Sequence, residues 1–306
     1  MLCFFPRWPR PGLAFLIVAL AGTAFCGPNP SAAAETVVKR LAQDAAYVLD
    51  APAARLESQT LDLYGPEEKP ETPWPVVLFV HGGAWRFGDK AMMGTKPAAF
   101  VGHGYLLASA NYRLAEPVTP REQAQDVARA VRWLHDHARE HGGDPDRIFL
   151  MGHSAGAHLA ALVGTDERLL GECGLGPEAV RGVVLLDGAG YDVPKQIAAA
   201  RLERLQGLYK RAFGDDERAQ REASPVAHVV AGKHFPPFLI FHVGQRRDSR
   251  EQSELLAGKL RDAGGQATTA HEPEKNHLTL NREFGLAGDG PTAKVFEFLD
   301  RVPAGK

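Results

Sequence analysis

One serine, one histidine and a choice of carboxylates make up the chemistry-bearing set in this chain. "GHSAG", Gly152 to Gly156, puts Ser154 between small residues, directly after the apolar run "RIFLM" and before "AHLAALVG". A G-x-S-x-G turn between a strand and a helix holds its serine in a strained backbone region, so its neighbours must be small. Gly152, Ala155 and Gly156 meet that demand. The bland alternative is a serine that only caps the helix, and the strand-turn-helix setting favours a nucleophile. A serine hydroxyl is a poor nucleophile until a base takes its proton. Histidine suits that task near neutral pH.

In this strand-turn-helix arrangement the base comes last in the chain, after the carboxylate that orients it. His277, in "EPEKNHLTLNREFG", is the last histidine and sits in a loop after the final short strand. His153 adjoins the serine but points elsewhere at the turn. His158, four residues into the helix, reads as a packed histidine. His242 and His271 fall inside strand-like runs. For the acid, Asp248 in "FHVGQRRDSREQS" follows the penultimate strand, and Asp187 in "VVLLDGAG" is its rival. Chain order and spacing favour Asp248. Arg246, Arg247 and Arg250 crowd it, either as solvated surface or as cations that keep it ionised.

Such a set needs a scaffold that presents strand ends to one edge. "QTLDLYG" alternates polar and apolar and predicts an early strand. "VVLFV", "GYLLASANY", "RIFLMGH", "VRGVVLLDG" and "FPPFLIFHVG" are apolar runs of the kind buried on both faces of a sheet. Between them, "REQAQDVARAVRWLHDHAREHG" has Val127, Val131 and Leu134 at helical spacing and Gly142 as its stop. "EQSELLAGKLRDAGG", "QATTAHE" and "TAKVFEFLDRV" then predict helix, short strand and helix. Strands alternating with helices imply an α/β fold with a mostly parallel sheet covered on both faces. Residues 190–234 break the rhythm with a charged helical stretch. It reads as a small cap inserted at the carboxyl edge, where ligands bind in open α/β sheets, or as an oversized crossover.

Composition narrows the field. The 306 residues carry a formal net charge of −2, with 35 Lys and Arg against 37 Asp and Glu and no basic block. Nothing here argues for nucleic-acid binding. No metal site is legible: the two histidines of "HDH" at 135–137 are two apart on a helix and share no face. No phosphate loop or dinucleotide fingerprint appears, so no cofactor is expected. The first 34 residues have a basic start (Arg7, Arg10), the apolar block Leu13 to Phe25 and small residues at Ala32 and Ala34 before Glu35. Those are the parts of a cleaved export signal, and the apolar block is short for a span of about 20 residues. The expected destination is periplasmic or secreted. The alternative is an uncleaved membrane anchor, or lipid on Cys26, where bulky Phe25 is a poor neighbour. Cys3 and Cys26 would leave with the signal, and Cys173 reads as a loop or buried thiol.

Taken in order, "HGGAW", "NYRL", "GHSAG", "DSREQS" and "NH" make the chain resemble an α/β-hydrolase over about residues 55–302. More narrowly, it is similar to the hormone-sensitive-lipase-like carboxylesterases and to the arylformamidase (kynurenine formamidase) group. The resemblance implies an oxyanion hole from Gly82, Gly83 and Ala155, whose N–H groups would hold the charge that develops on a carbonyl oxygen. Glycine allows that close backbone approach. Trp85 would wall the acyl pocket or belong to the core. Ala84 stands where the pattern has a third glycine or an alanine, and "QRR" before Asp248 is unusual. The expected activity is hydrolysis of a small-molecule carboxylic ester through an acyl-enzyme. An N-formyl or aryl amide hydrolase would use the same groups. A serine peptidase and a non-catalytic binding module are the remaining alternatives.

Overall fold

The computed structural model describes residues 37–48, 58–115 and 117–303. The expected export signal of residues 1–34, with Cys3 and Cys26, lies outside the described residues.

Eight strands form one sheet: β1 (Val38–Ala46), β2 (Thr60–Pro66), β3 (Trp74–Val80), β4 (Leu106–Ala110), β5 (Gly143–His153), β6 (Gly182–Leu186), β7 (Phe238–Val243) and β8 (Ala267–Glu272). Their spatial order is β1-β2-β4-β3-β5-β6-β7-β8. β1 and β2 pair antiparallel, as do β2 and β4, and every later pair is parallel. β1 is an element that the sequence reading did not include. It is an edge strand whose positions are half-buried or exposed in runs of one or two with no period-two alternation, and its register slips twice against β2.

The central strands alternate between two cores. Val76, Leu78 and Val80 pack on one face, and Val77 and Phe79 on the other. Period-two side chains buried on both faces explain why these strands read as unbroken apolar runs. The helices in chain order are α1 (Lys96–Gly102), α2 (Pro120–His137), α3 (Ala155–Thr165), α4 (Glu167–Gly171), α5 (Val193–Ala199), α6 (Glu203–Phe213), α7 (Glu217–Glu222), α8 (Pro225–His228), α9 (Arg247–Asp262), α10 (Thr279–Arg282) and α11 (Gly290–Arg301). α2 begins with a capping box in which Thr119 and Glu122 satisfy each other's backbone N–H. α3 is buried over its whole length, which its small residues permit.

The parallel strands β3, β5, β6 and β7 all end at one edge, where β5, β6 and the loop after β8 deliver Ser154, Asp187 and His277. The stretch expected as a cap is the helical series α5 to α8, and the α5–α6 part of it lines the cavity above this edge.

Candidate active site

The turn after β5 sets the geometry. Ser154 sits at φ 57° and ψ −119°, a conformation that L-residues rarely adopt and that typically costs about 1–3 kcal/mol. Its N–H bonds Leu186 O at 3.0 Å, tying the turn to the end of β6. The small neighbours are required by contact. A Cβ on Gly152 would lie 2.2 Å from Gly156 O, and one on Gly156 would lie 2.1 Å from Val80 O.

Ser154 Oγ is 3.0 Å from His277 Nε2, so the hydroxyl donates to the ring. His277 Nδ1 donates in turn to Asp187 Oδ2 at 2.6 Å. The expectation for Asp248 is corrected here. Asp248 lies in the first turn of α9 and accepts from Arg246 Nη2 at 3.2 Å, with no bond to His277. The reason is topological. β6 lies between β5 and β7, so its end is the nearer edge to the serine turn, and α9 begins at Arg247, too soon for Asp248 to cross over.

Asp187 is fully buried and has φ 48°, a second positive-φ residue beside Ser154. It also accepts from Ser249 Oγ and from Arg246 Nη1, the latter at 2.5 Å. Burial alone would push its carboxyl up. The His277 bond, the Arg246 cation and Ser249 outweigh burial and hold it below the usual carboxylate range. Arg246 Nη1 stands 2.8 Å from His277 Nδ1, so one guanidinium borders both members of the pair.

His153 is not the base, as expected, and the structure gives it another role. Its Nε2–H donates to the carbonyl of His277 at 2.8 Å, and the two rings lie 4.6 Å apart. Burial first, then the nearby His277 ring, push His153 down to about 3, so it is neutral there. The sequence offered one cue, a histidine beside the serine, but its distant partner is visible only in three dimensions. His158 is packed: its Nδ1 accepts from Trp85 Nε1 at 3.1 Å and its Nε2 donates to Ala223 O at 2.7 Å. Burial pushes it down to about 4.

The "HGGAW" loop lies directly against Ser154. A Cβ on Gly82 would be 3.0 Å from Ser154 Cβ. Gly83 has φ 132°, and a Cβ there would lie 2.0 Å from Phe87 O. Its carbonyl accepts from both Arg86 N and Phe87 N, which closes the turn. Among the described residues, the N–H groups of Gly82, Gly83 and Ala155 have no acceptor. The loop is braced from below: His81 stacks on Tyr112 at 4.4 Å, and Tyr112 donates to His81 O. Trp85 is 2% exposed, with its ring edge-on to Phe213, and its carbonyl accepts from Gln123 Nε2. It therefore floors the cavity as part of the core.

That cavity has a volume of about 1260 Å³. Its rim carries exposed apolar side chains: Phe87 at 66%, Met92 at 65%, and Leu202 and Leu278 at 51% each. Leu205 and Leu208 of α6 continue the apolar wall. Cys173 is remote from this set, half-buried beside Gln125 Nε2, and burial raises its thiol. The arrangement as a whole can take a proton from a hydroxyl, stabilise the resulting ring charge and place backbone donors beside the attacked group.

Residues 61–260 match the BD-FAE family. Among curated proteins, the chain is 30% identical over 246 residues to the probable isoprenylcysteine alpha-carbonyl methylesterase ICMEL1 of Arabidopsis thaliana, covering 74% of this chain and 50% of that protein. It is 32% identical over 196 residues to esterase LipC of Mycobacterium tuberculosis, covering 60% and 47%. The chain thus spans about half the length of these curated relatives. Esterase B of Lactobacillus rhamnosis, solved with an inhibitor, superposes with a TM-score of 0.69 at 24% identity, over 87% of this chain and 88% of that one. The expected α/β-hydrolase fold is borne out by that likeness.

Proposed function

The chain belongs to the BD-FAE family, and from that premise we propose that it hydrolyses carboxylic esters through an acyl-enzyme formed on Ser154. The observation that carries this reading is the continuous bond series from Ser154 Oγ through His277 to Asp187. Ser154 Oγ attacks the ester carbonyl carbon while His277 Nε2 takes its proton. The ring returns that proton to the departing alcohol oxygen as the carbonyl–oxygen bond breaks. Water then repeats the sequence on the acyl-enzyme and releases the carboxylic acid. Asp187 holds the ring orientation and balances the imidazolium.

The N–H groups of Gly82, Gly83 and Ala155 receive the oxyanion. Each donor of this kind is typically worth about 10²–10³ in rate. The apolar rim supports an ester with a sizeable apolar acyl or alcohol portion. Single exposed apolar residues need no explanation, but a cluster around one opening marks a binding surface.

The test offers p-nitrophenyl acetate, butyrate and decanoate to the purified chain beside N-formylkynurenine and an alkyl fluorophosphonate. Turnover of the esters, labelling of Ser154 and loss of both in Ser154→Ala are expected. Turnover of the formamide alone would replace the ester reading with the amide one, and silence toward every compound would overturn both. The three-part N-terminus further supports export. Fractionation of the full-length chain with N-terminal mass determination should find a mature start near Glu35 outside the cytoplasm, and an intact cytoplasmic chain would refute it.

A further inference from the structure

Lys96 is an unusual residue to find where it is. It is 2% exposed, lies at the first position of α1, and has no carboxylate partner among the described residues. Burial disfavours its charge, and the positive end of the helix dipole opposes it too. Lys is almost never fully buried unless paired. A leucine or methionine would fill the same volume without those costs.

What the amine touches is specific. Nζ donates to the carbonyl of Asn281 at 2.7 Å. It also lies over the rings of Phe79, at 5.0 Å, and Phe284, at 5.8 Å, where the faces of aromatic rings attract a cation. Asn281 belongs to α10, four residues beyond His277. The neighbouring contacts run to the same segment. Thr95 Oγ1 donates to Phe284 O at 2.6 Å. Gly285 has φ 91°, and a Cβ there would lie 2.8 Å from Ala99 Cβ. Asn276 closes the near end by accepting from Leu278 N and Thr279 N. The short stretch that carries His277 is thus pinned to α1 at its far end and turned on itself at its near end.

We infer that Lys96 is a positioning residue that fixes the His277 turn over Ser154 through its charged bond to the Asn281 carbonyl. The inference rests on the hydrolase reading for its effect on rate, and on contacts alone for its effect on the turn. A displacement of about 1 Å in a reacting group can cost up to about 10²-fold in rate, so a tether four residues from the base is well placed to matter. Burial pushes the amine down to about 8. The groups that face it are the two rings and the Asn281 carbonyl, and the titratable group its charge acts on is His153, which is neutral. As pH rises through about 8 the amine loses its charge, and both the charged bond and the ring attraction weaken.

The sign for stability is opposite to the sign for activity. A lysine with a folded value near 8 and an ordinary value of 10.5 burdens the fold below pH 8, and the burden lifts as pH rises between the two. Lys96→Met should therefore keep or raise the melting temperature at pH 7. In the same variant kcat for p-nitrophenyl acetate should fall about tenfold with KM unchanged, and amide hydrogen exchange over residues 276–284 should quicken. The wild-type kcat should decline as pH passes through about 8, and the variant should lack that limb. Lys96→Gln, with a shorter neutral donor, should fall between the two in exchange rate. Wild-type exchange and kcat in Lys96→Met, or the same alkaline limb in both proteins, would overturn the inference. If the wild type turns over no ester, the hydrolase reading fails, and the exchange rates alone still decide whether Lys96 holds the turn.

Discussion

Asp187 Oδ2 lies 2.6 Å from His277 Nδ1, while the carboxylate that follows the next strand, Asp248, bonds Arg246 and not His277. The acid of the bond series therefore comes from β6, the strand adjacent to the serine turn. Asp187→Asn should lower kcat by about 10⁴ through the wrong ring tautomer. Asp248→Asn should change it by no more than about threefold, because the side chain is 36% exposed and its ion pair is with Arg246, not His277. Steady-state kinetics of the two variants side by side check this, and a severe Asp248→Asn with a mild Asp187→Asn would reverse the assignment.

Gly83 is where a side chain has no room. Gly83→Ala places a Cβ against Phe87 O and strains a φ of 132°. The loop must shift, and on the proposed reading its N–H moves away from the oxyanion. A fall in kcat of about 10² is expected, with KM for p-nitrophenyl butyrate nearly unchanged. Circular dichroism and melting measure whether the fold survives, and full activity in a folded Gly83→Ala would remove the loop from the chemistry.

Two buried histidines set an acid limit on stability. His153 and His158 are pushed down to about 3 and about 4 by burial. In the unfolded chain both would take up protons near 6.5, so the unfolded state binds more protons below that pH and the fold loses stability as pH falls. The loss is complete once the folded values are passed. Each histidine contributes at most about 1.4 kcal/mol per pH unit across its window. Urea unfolding between pH 7 and pH 4.5 should show this slope, and His158→Gln should reduce it by about one proton. An unchanged slope in that variant would mean that His158 does not titrate with unfolding.

The rim makes a prediction about chain length. Each buried CH₂ is worth about 0.8 kcal/mol, or roughly fourfold, if the acyl chain reaches Met92, Leu202 or Leu278. The ratio of kcat/KM for p-nitrophenyl octanoate over acetate should therefore fall about three- to tenfold in Leu202→Ser or Met92→Ser, with acetate barely affected. Equal losses on both esters would place the substrate's apolar part elsewhere.

Much of this was legible from residue types. Ser154 was marked by its small neighbours, because the turn leaves no space for a Cβ at Gly152 or Gly156. His277 was marked by being last and in a loop, and the strands by their unbroken apolar runs. The carboxylate that bonds His277 was not legible in the same way. Both candidates follow a strand at the same edge, and the choice turns on which strand neighbours β5, a fact of sheet order that linear spacing does not contain. β1 was hidden for another reason: an exposed edge strand buries too little to show a clear alternation. His153 and Lys96 act through backbone carbonyls more than a hundred residues away, and a carbonyl has no letter in a sequence.

The bond from Ser154 N to Leu186 O has one more implication. It staples the Ser154 turn to the residue just before Asp187, so serine and carboxylate ride on two neighbouring strands of one sheet and move together. Only the histidine arrives from outside that unit. Thermal or solvent stress should therefore displace His277 first, leaving a folded sheet with Ser154 and Asp187 still in register, and on the proposed reading inactivation should precede unfolding.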